Sequence, residues 1–138
     1  MAYLLDTNVI SEFLKKTPNE KVIRWFEETD ERLQFISAFS VGEIQKGISR
    51  LTAARRRKEL QDWFDGILVR YDTRIVPFTL TAARIWGTLL SNLESKGRVL
   101  PVIDSLIAAT ALERDLTIVT RNTSDFAHTK TRTLNIWD

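Results

Sequence analysis

Three apolar residues, Tyr3-Leu4-Leu5, run straight into Asp6. After Thr7-Asn8, the apolar residues Val9, Ile10, Phe13 and Leu14 return at helical spacing. A run this short, closed by a charge and followed by a helical period, reads as a buried strand that delivers a carboxylate to its own C-terminal end. A chain that begins this way needs neighbouring strands on both sides of the first one, and a helix to cover it.

The rest of the sequence supplies them. Further strands are expected over 33–37, 74–78, 116–120 and 133–137, besides the first over 2–6, with Pro77 ending the third. Between them lie helical patterns. Asn19 is an N-cap for a helix carrying Val22, Ile23 and Phe26. Ser40 to Glu43 opens another, with Val41, Ile44 and Ile48 inward. Residues 53–68 form a charged amphipathic helix with Leu60, Trp63, Phe64 and Ile67 inward. Residues 80–96 form a long helix closed by Gly97 as a C′ stop, and 103–114 a last one. Strands alternating with helices imply an α/β fold: one domain over 1–138, three layers, with a mostly parallel five-stranded central sheet flanked by helices.

Composition narrows the chemistry. The 138 residues suffice for one sizeable core. There is no cysteine, which removes disulfides, thiolate ligands and thiol nucleophiles, and the single His128 argues against histidine-ligated zinc. No apolar run approaches a membrane span, so a cytoplasmic protein without membrane contact is expected. The net charge of +2 does not select a partner, but Arg55-Arg56-Arg57-Lys58 is a local basic block, a candidate for phosphate contacts or for binding a protein partner.

Acidic residues fall where this architecture brings them together. In an open parallel sheet, strands end and helices begin at the same edge, and ligands bind there. Asp6 ends the first strand, Glu43 follows the second, Asp104 lies in the first turn of a helix, and Asn122 and Asp125 follow the fourth strand. Each has a purely structural alternative. Asp6 fits an N-cap, Ser40 and Glu43 are spaced as a capping box, Asp104 complements a helix dipole, and Asp125 suits a turn. Ala108 and Ala111, on the face of Asp104, leave room beside it. Four carboxylates on one rim repel one another, and a divalent cation removes that cost. Oxygen donors without histidine or cysteine select Mg²⁺, with Mn²⁺ as substitute, and such a centre suits phosphodiester hydrolysis by metal-activated water.

The stretches Leu4-Leu5-Asp6-Thr7-Asn8-Val9-Ile10, Ser40-Val41-Gly42-Glu43-Ile44, 104–111 and Thr120-Arg121-Asn122-Thr123-Ser124-Asp125-Phe126 resemble the PIN-domain ribonucleases. Within them the likeness is to VapC-type toxins of toxin–antitoxin pairs, including FitB-like members. The resemblance implies a PIN-like fold and Mg²⁺- or Mn²⁺-dependent endoribonuclease activity on tRNA or rRNA. It also implies a homodimer and a small VapB-type antitoxin through which operator DNA is bound. Carried onto this chain, it makes Asp6, Glu43 and Asp104 catalytic and metal-binding. Thr7 holds the site by its hydroxyl, Asp125 is the fourth acid and Asn122 an auxiliary. The alternatives are a catalytically inactive PIN-like binding module and a different phosphoryl-transfer fold. A dehalogenase-like phosphatase would need an acid where Asn8 stands, and a receiver domain would need an acidic pair and a lysine that are absent in that arrangement.

Overall fold

The computed structural model describes residues 1–138. Its strands are β1 (Tyr3–Leu5), β2 (Gln34–Ser37), β3 (Ile75–Val76), β4 (Thr117–Val119) and β5 (Thr133–Leu134). They form one sheet in the order β3-β2-β1-β4-β5 with every pair parallel. Leu5 lies opposite Ile36 on one side and Val119 on the other, so the first strand is the centre of the sheet. The edge strands are shorter than their sequence patterns. Beyond Val76, Pro77 has no N–H for a ladder, and beyond Leu134 the Asn135 side chain accepts the Trp137 N–H (2.9 Å), turning the chain away.

Six helices cover the sheet: α1 (Thr7–Ser11), α2 (Glu20–Glu28), α3 (Ala38–Ser49), α4 (Ala54–Arg70), α5 (Leu80–Ser95) and α6 (Val102–Arg114). The pleat of β1 sends Leu4 and Leu5 to opposite faces. Leu5 meets Val9, Val22, Ile36, Ile44, Phe64 and Val119 in one core, under α1 to α4. Leu4 meets Leu89, Leu93, Ile107, Ala108 and Ile118 in the other, under α5 and α6. Phe64 is fully buried, and replacing such a side chain with alanine costs about 3–5 kcal/mol. Ala108 and Ala111 are 0% and 1% exposed: their small side chains bring α6 close to the sheet and do not open space beside Asp104.

Local chemistry sets the helix ends. The Asn19 side chain accepts the Lys21 N–H at 2.8 Å and starts α2. Gly97 (φ 67) ends α5 in a Schellman motif, with Arg98 N–H donating to Leu93 O (2.9 Å) and Gly97 N–H to Glu94 O (3.0 Å). The capping-box expectation is corrected. Helix α3 starts at Ala38, with Ser37 as its cap, accepting the Phe39 N–H at 3.1 Å. The helix follows β2 without a loop, so its first turn lies three residues earlier than the Ser40–Glu43 spacing suggests. Ser40 is then inside, fully buried. Likewise the expected helix over 9–14 is α1 followed by a 3₁₀ turn, Glu12–Leu14, where the buried Glu12 carboxylate accepts the Asn19 N–H (2.9 Å) and pairs with Lys15 (2.9 Å). No helix is long and apolar enough to cross a membrane.

Candidate active site

The rim at the C-terminal ends of β1, β2 and β4 carries the acidic residues. Asp6 continues β1, its N–H still bonded to Val119 O (2.9 Å), and its side chain is 5% exposed. Its Oδ1 accepts the Thr7 N–H (2.8 Å), which is the N-capping role open to it in the sequence. Its Oδ2 accepts the Thr120 hydroxyl (2.8 Å) and the Asn8 amide (3.2 Å). Burial raises the Asp6 pKa above its ordinary value; the bonds from Thr120, Thr7 and Asn8 oppose that rise, and the Glu43 charge adds to it.

Glu43 is held from the same loop. The Thr7 hydroxyl donates to Glu43 Oε1 (2.6 Å) and lies 3.1 Å from Ser40 Oγ. Glu43 therefore bonds across the sheet edge to the β1–α1 turn, not to a backbone N–H of its own helix. Asn8 joins the two sides of the rim: its amide N–H reaches Thr120 Oγ1 (3.2 Å), and its Oδ1 accepts the Arg121 N–H (3.2 Å).

Asp104 occupies the first turn of α6, half-buried. Its carboxylate accepts no hydrogen bond. Burial, then the charges of Asp6, Asp125 and Glu43, push its pKa up to about 6. One carboxylate thus feels the other three, which is the convergence expected from the sheet topology. Asp125 lies exposed in a 3₁₀ turn, Thr123–Phe126, that buries Phe126. The turn is closed by the backbone bond from Asp125 N–H to Asn122 O (3.0 Å), and the Asp125 carboxylate caps nothing. Asn122 is exposed, held by its N–H to Thr120 Oγ1 (3.0 Å), with its amide free.

Two residues of this network have no site role in the sequence reading: Thr120 and Asn8. Thr120 is fully buried and bonds Asp6, Asn8 and the Asn122 backbone through one hydroxyl. A threonine at a strand end looks like an ordinary β-former, and only the register that sets β4 beside β1 gives it away.

The donor set is all hard oxygen, which suits Mg²⁺ or Mn²⁺. No three acidic side chains stand close enough to ligate one ion together. Asp6 and Glu43 are drawn to hydrogen-bond partners, whereas Asp104 and Asp125 keep their oxygens uncommitted. Mg²⁺ is commonly held by one or two carboxylates with waters completing its octahedron, so this arrangement fits it.

A parallel sheet in this order, with a carboxylate at the end of its central strand and three more around it, defines a PIN-type α/β protein. The PIN domain family model matches residues 3–131, and the chain belongs to that family, among its VapC-like members. A VapC ribonuclease of Sinorhizobium fredii is 33% identical over 98% of this chain and 97% of its own length. Toxin FitB of Neisseria gonorrhoeae is 34% identical over 97% of each. Among solved structures, FitAcB from the same organism superposes with a TM-score of 0.93 at 34% identity, covering 98% of both chains. VapBC2 of Rickettsia felis, bound to a DNA fragment from its promoter, gives 0.80 at 27% identity with both chains fully covered.

Proposed function

We propose that the protein is the ribonuclease toxin of a toxin–antitoxin pair, hydrolysing RNA phosphodiester bonds with Mg²⁺ or Mn²⁺. The observation that carries this reading is Asp104, a half-buried carboxylate without a hydrogen-bond donor that faces the charges of Asp6, Asp125 and Glu43. Such a cluster carries a repulsion that a bound cation relieves. Asp6 and Asp104 would hold the ion, with Glu43 and Asp125 beside them. The bound ion would polarise a phosphate oxygen and offset the negative charge of the site. Asp6 is kept in one rotamer by Thr120, Thr7 and Asn8, and Thr7 keeps Glu43 turned toward it. Asp104 and Asp125 have oxygens left to orient water on the substrate side. Asn122 offers an amide beside them.

The FitAB and VapBC2 complexes, solved with DNA, support the partners in this reading, a VapB-type antitoxin and operator DNA bound through it; a second copy of the chain belongs to the reading as well. The test is cleavage of total tRNA and rRNA by antitoxin-free protein with Mg²⁺, Mn²⁺ or EDTA. Cleavage with either ion, none with EDTA and none by Asp104→Asn is expected. Wild-type cutting by Asp104→Asn would refute the site.

A further inference from the structure

The basic block that stands out in the sequence is occupied by its own helix. On α4, Arg55 and Arg56 pair with Glu59 (3.4 and 3.8 Å), Lys58 pairs with Asp62 (3.0 Å), and Arg57 donates to Leu51 O (3.2 Å). A second set of cations, invisible as a run, surrounds a cleft of about 590 Å³ between α5 and residues 128–130. Its basic residues are Arg84, Lys96, Arg98, His128 and Lys130, and no acidic residue lines it. All five are exposed and none makes an ion pair; the arginines and lysines, four of them, are the cations. Two are placed by the backbone: Arg98 by the Schellman motif after Gly97, and Lys130 by a left-handed conformation (φ 63) that lysine seldom adopts. Thr88, Asn92 and Thr129 add polar groups to the walls.

The cleft leads toward the acidic rim. Arg98, His128 and Thr129 also line a smaller hollow of about 150 Å³, whose other wall holds Ser124 and Asp125. Unpaired cations among hydroxyls and amides match a phosphate backbone. No Phe, Tyr or Trp lines either hollow, so an extended base-stacking platform is lacking there. We propose that this cleft is a sequence-independent track for the phosphate backbone of one RNA strand, guiding it to the carboxylates. The track rests on the ribonuclease reading. Ile85, Leu89, Leu93 and Leu112 also line the cleft; an acidic protein segment would share the charge, but continuity with Asp125 favours the nucleic acid.

The test is binding of a labelled oligouridylate of about 20 nucleotides, long enough to span several phosphate contacts, to the full chain by fluorescence anisotropy across a salt series. Arg98→Gln with Lys130→Gln is expected to weaken binding at low salt at least about tenfold. It should also reduce the slope of log K against log salt by about 1.4, from roughly 0.7 per single-strand phosphate contact. Arg84→Gln with Lys96→Gln, on α5 and at its C-terminal end, should behave alike, and circular dichroism checks that both pairs fold. Arg55→Gln with Lys58→Gln should match wild type. An unchanged slope in both cleft pairs, or loss in the α4 pair instead, overturns the proposal. So does a cleft variant that binds oligouridylate normally but no longer captures its antitoxin. Wild-type protein that binds through the cleft yet cuts no RNA defeats the ribonuclease reading and leaves the track standing.

Discussion

The acidic rim has two halves built on different terms. On the β1 side, Asp6 and Glu43 are tied down: backbone N–H, threonine hydroxyls and an asparagine amide fix both carboxylates. On the α6 and 122–125 side, Asp104, Asp125 and the Asn122 amide accept nothing from the protein. The pinned half fixes where charge sits. The open half leaves oxygens for an ion, water and substrate. A site with all four carboxylates fully bonded would hold its geometry but offer no ligands; one with none bonded would spread apart under its own repulsion.

The largest expected effects come from removing charge in either half. Asp6→Asn and Asp104→Asn should each lower RNA cleavage on the order of 10³-fold or more, measured with Mn²⁺ at neutral pH. Next is the fourth position. Asp125→Ala should cost about 30-fold or more in rate and weaken a Mn²⁺ titration without changing apo Tm, because its carboxylate caps nothing; Asn122→Ala should cost less. If the order reverses, the amide is the ligand, and Asn122→Asp would then tighten Mn²⁺ binding. Thr120→Val tests the pinned half without touching a charge. Losing a hydrogen bond to a carboxylate costs about 1.5–3 kcal/mol, so Tm should fall and activity drop roughly tenfold. Full activity in Thr120→Val would show that Asp6 needs no such support.

The smallest effect is on pH dependence without metal. The Asp104 pKa stands at about 6 in the folded chain, against an ordinary value of 3.8. The unfolded state therefore releases its proton first as pH rises, and the stability this group contributes, full below about pH 4, is lost on the way to pH 6. The loss is about 1 kcal/mol once solvent screening of a half-exposed group is counted. Asp104→Asn should remove that slope and leave apo Tm a few degrees higher than wild type at pH 7. Parallel Tm–pH curves for the two proteins would mean that Asp104 is not repelled by its neighbours.

The pinned half was half-legible in the sequence, and the reason is geometric. Tyr3-Leu4-Leu5-Asp6 announces a strand ending in an acid, and parallel topology then brings Asp6, Glu43, Asp104 and Asp125 to one rim. Spacing alone misplaces the start of α3, because Ser40–Glu43 and a capping box look alike until β2 is seen to run directly into the helix. Thr120 matters through a partner 114 residues away, which no local pattern reveals. The basic block at 55–58 draws attention as a run, yet Glu59 and Asp62 one turn on already neutralise much of it. The cleft cations are scattered over 84–130, and only the packing of α5 beside residues 128–130 assembles them.

The central position of β1 has a consequence for synthesis. The first strand made is the one that needs the last large helix and β4 to complete its surroundings, since the partner of Asp6 is Thr120. At about 5–20 residues per second, that interval of 114 residues takes roughly 6–23 s to translate. Within it the nascent chain gains first Glu43 and, only near the end, Asp104, and the hydroxyl that orders Asp6 comes last. The acidic rim is therefore incomplete until nearly all of the chain has been made.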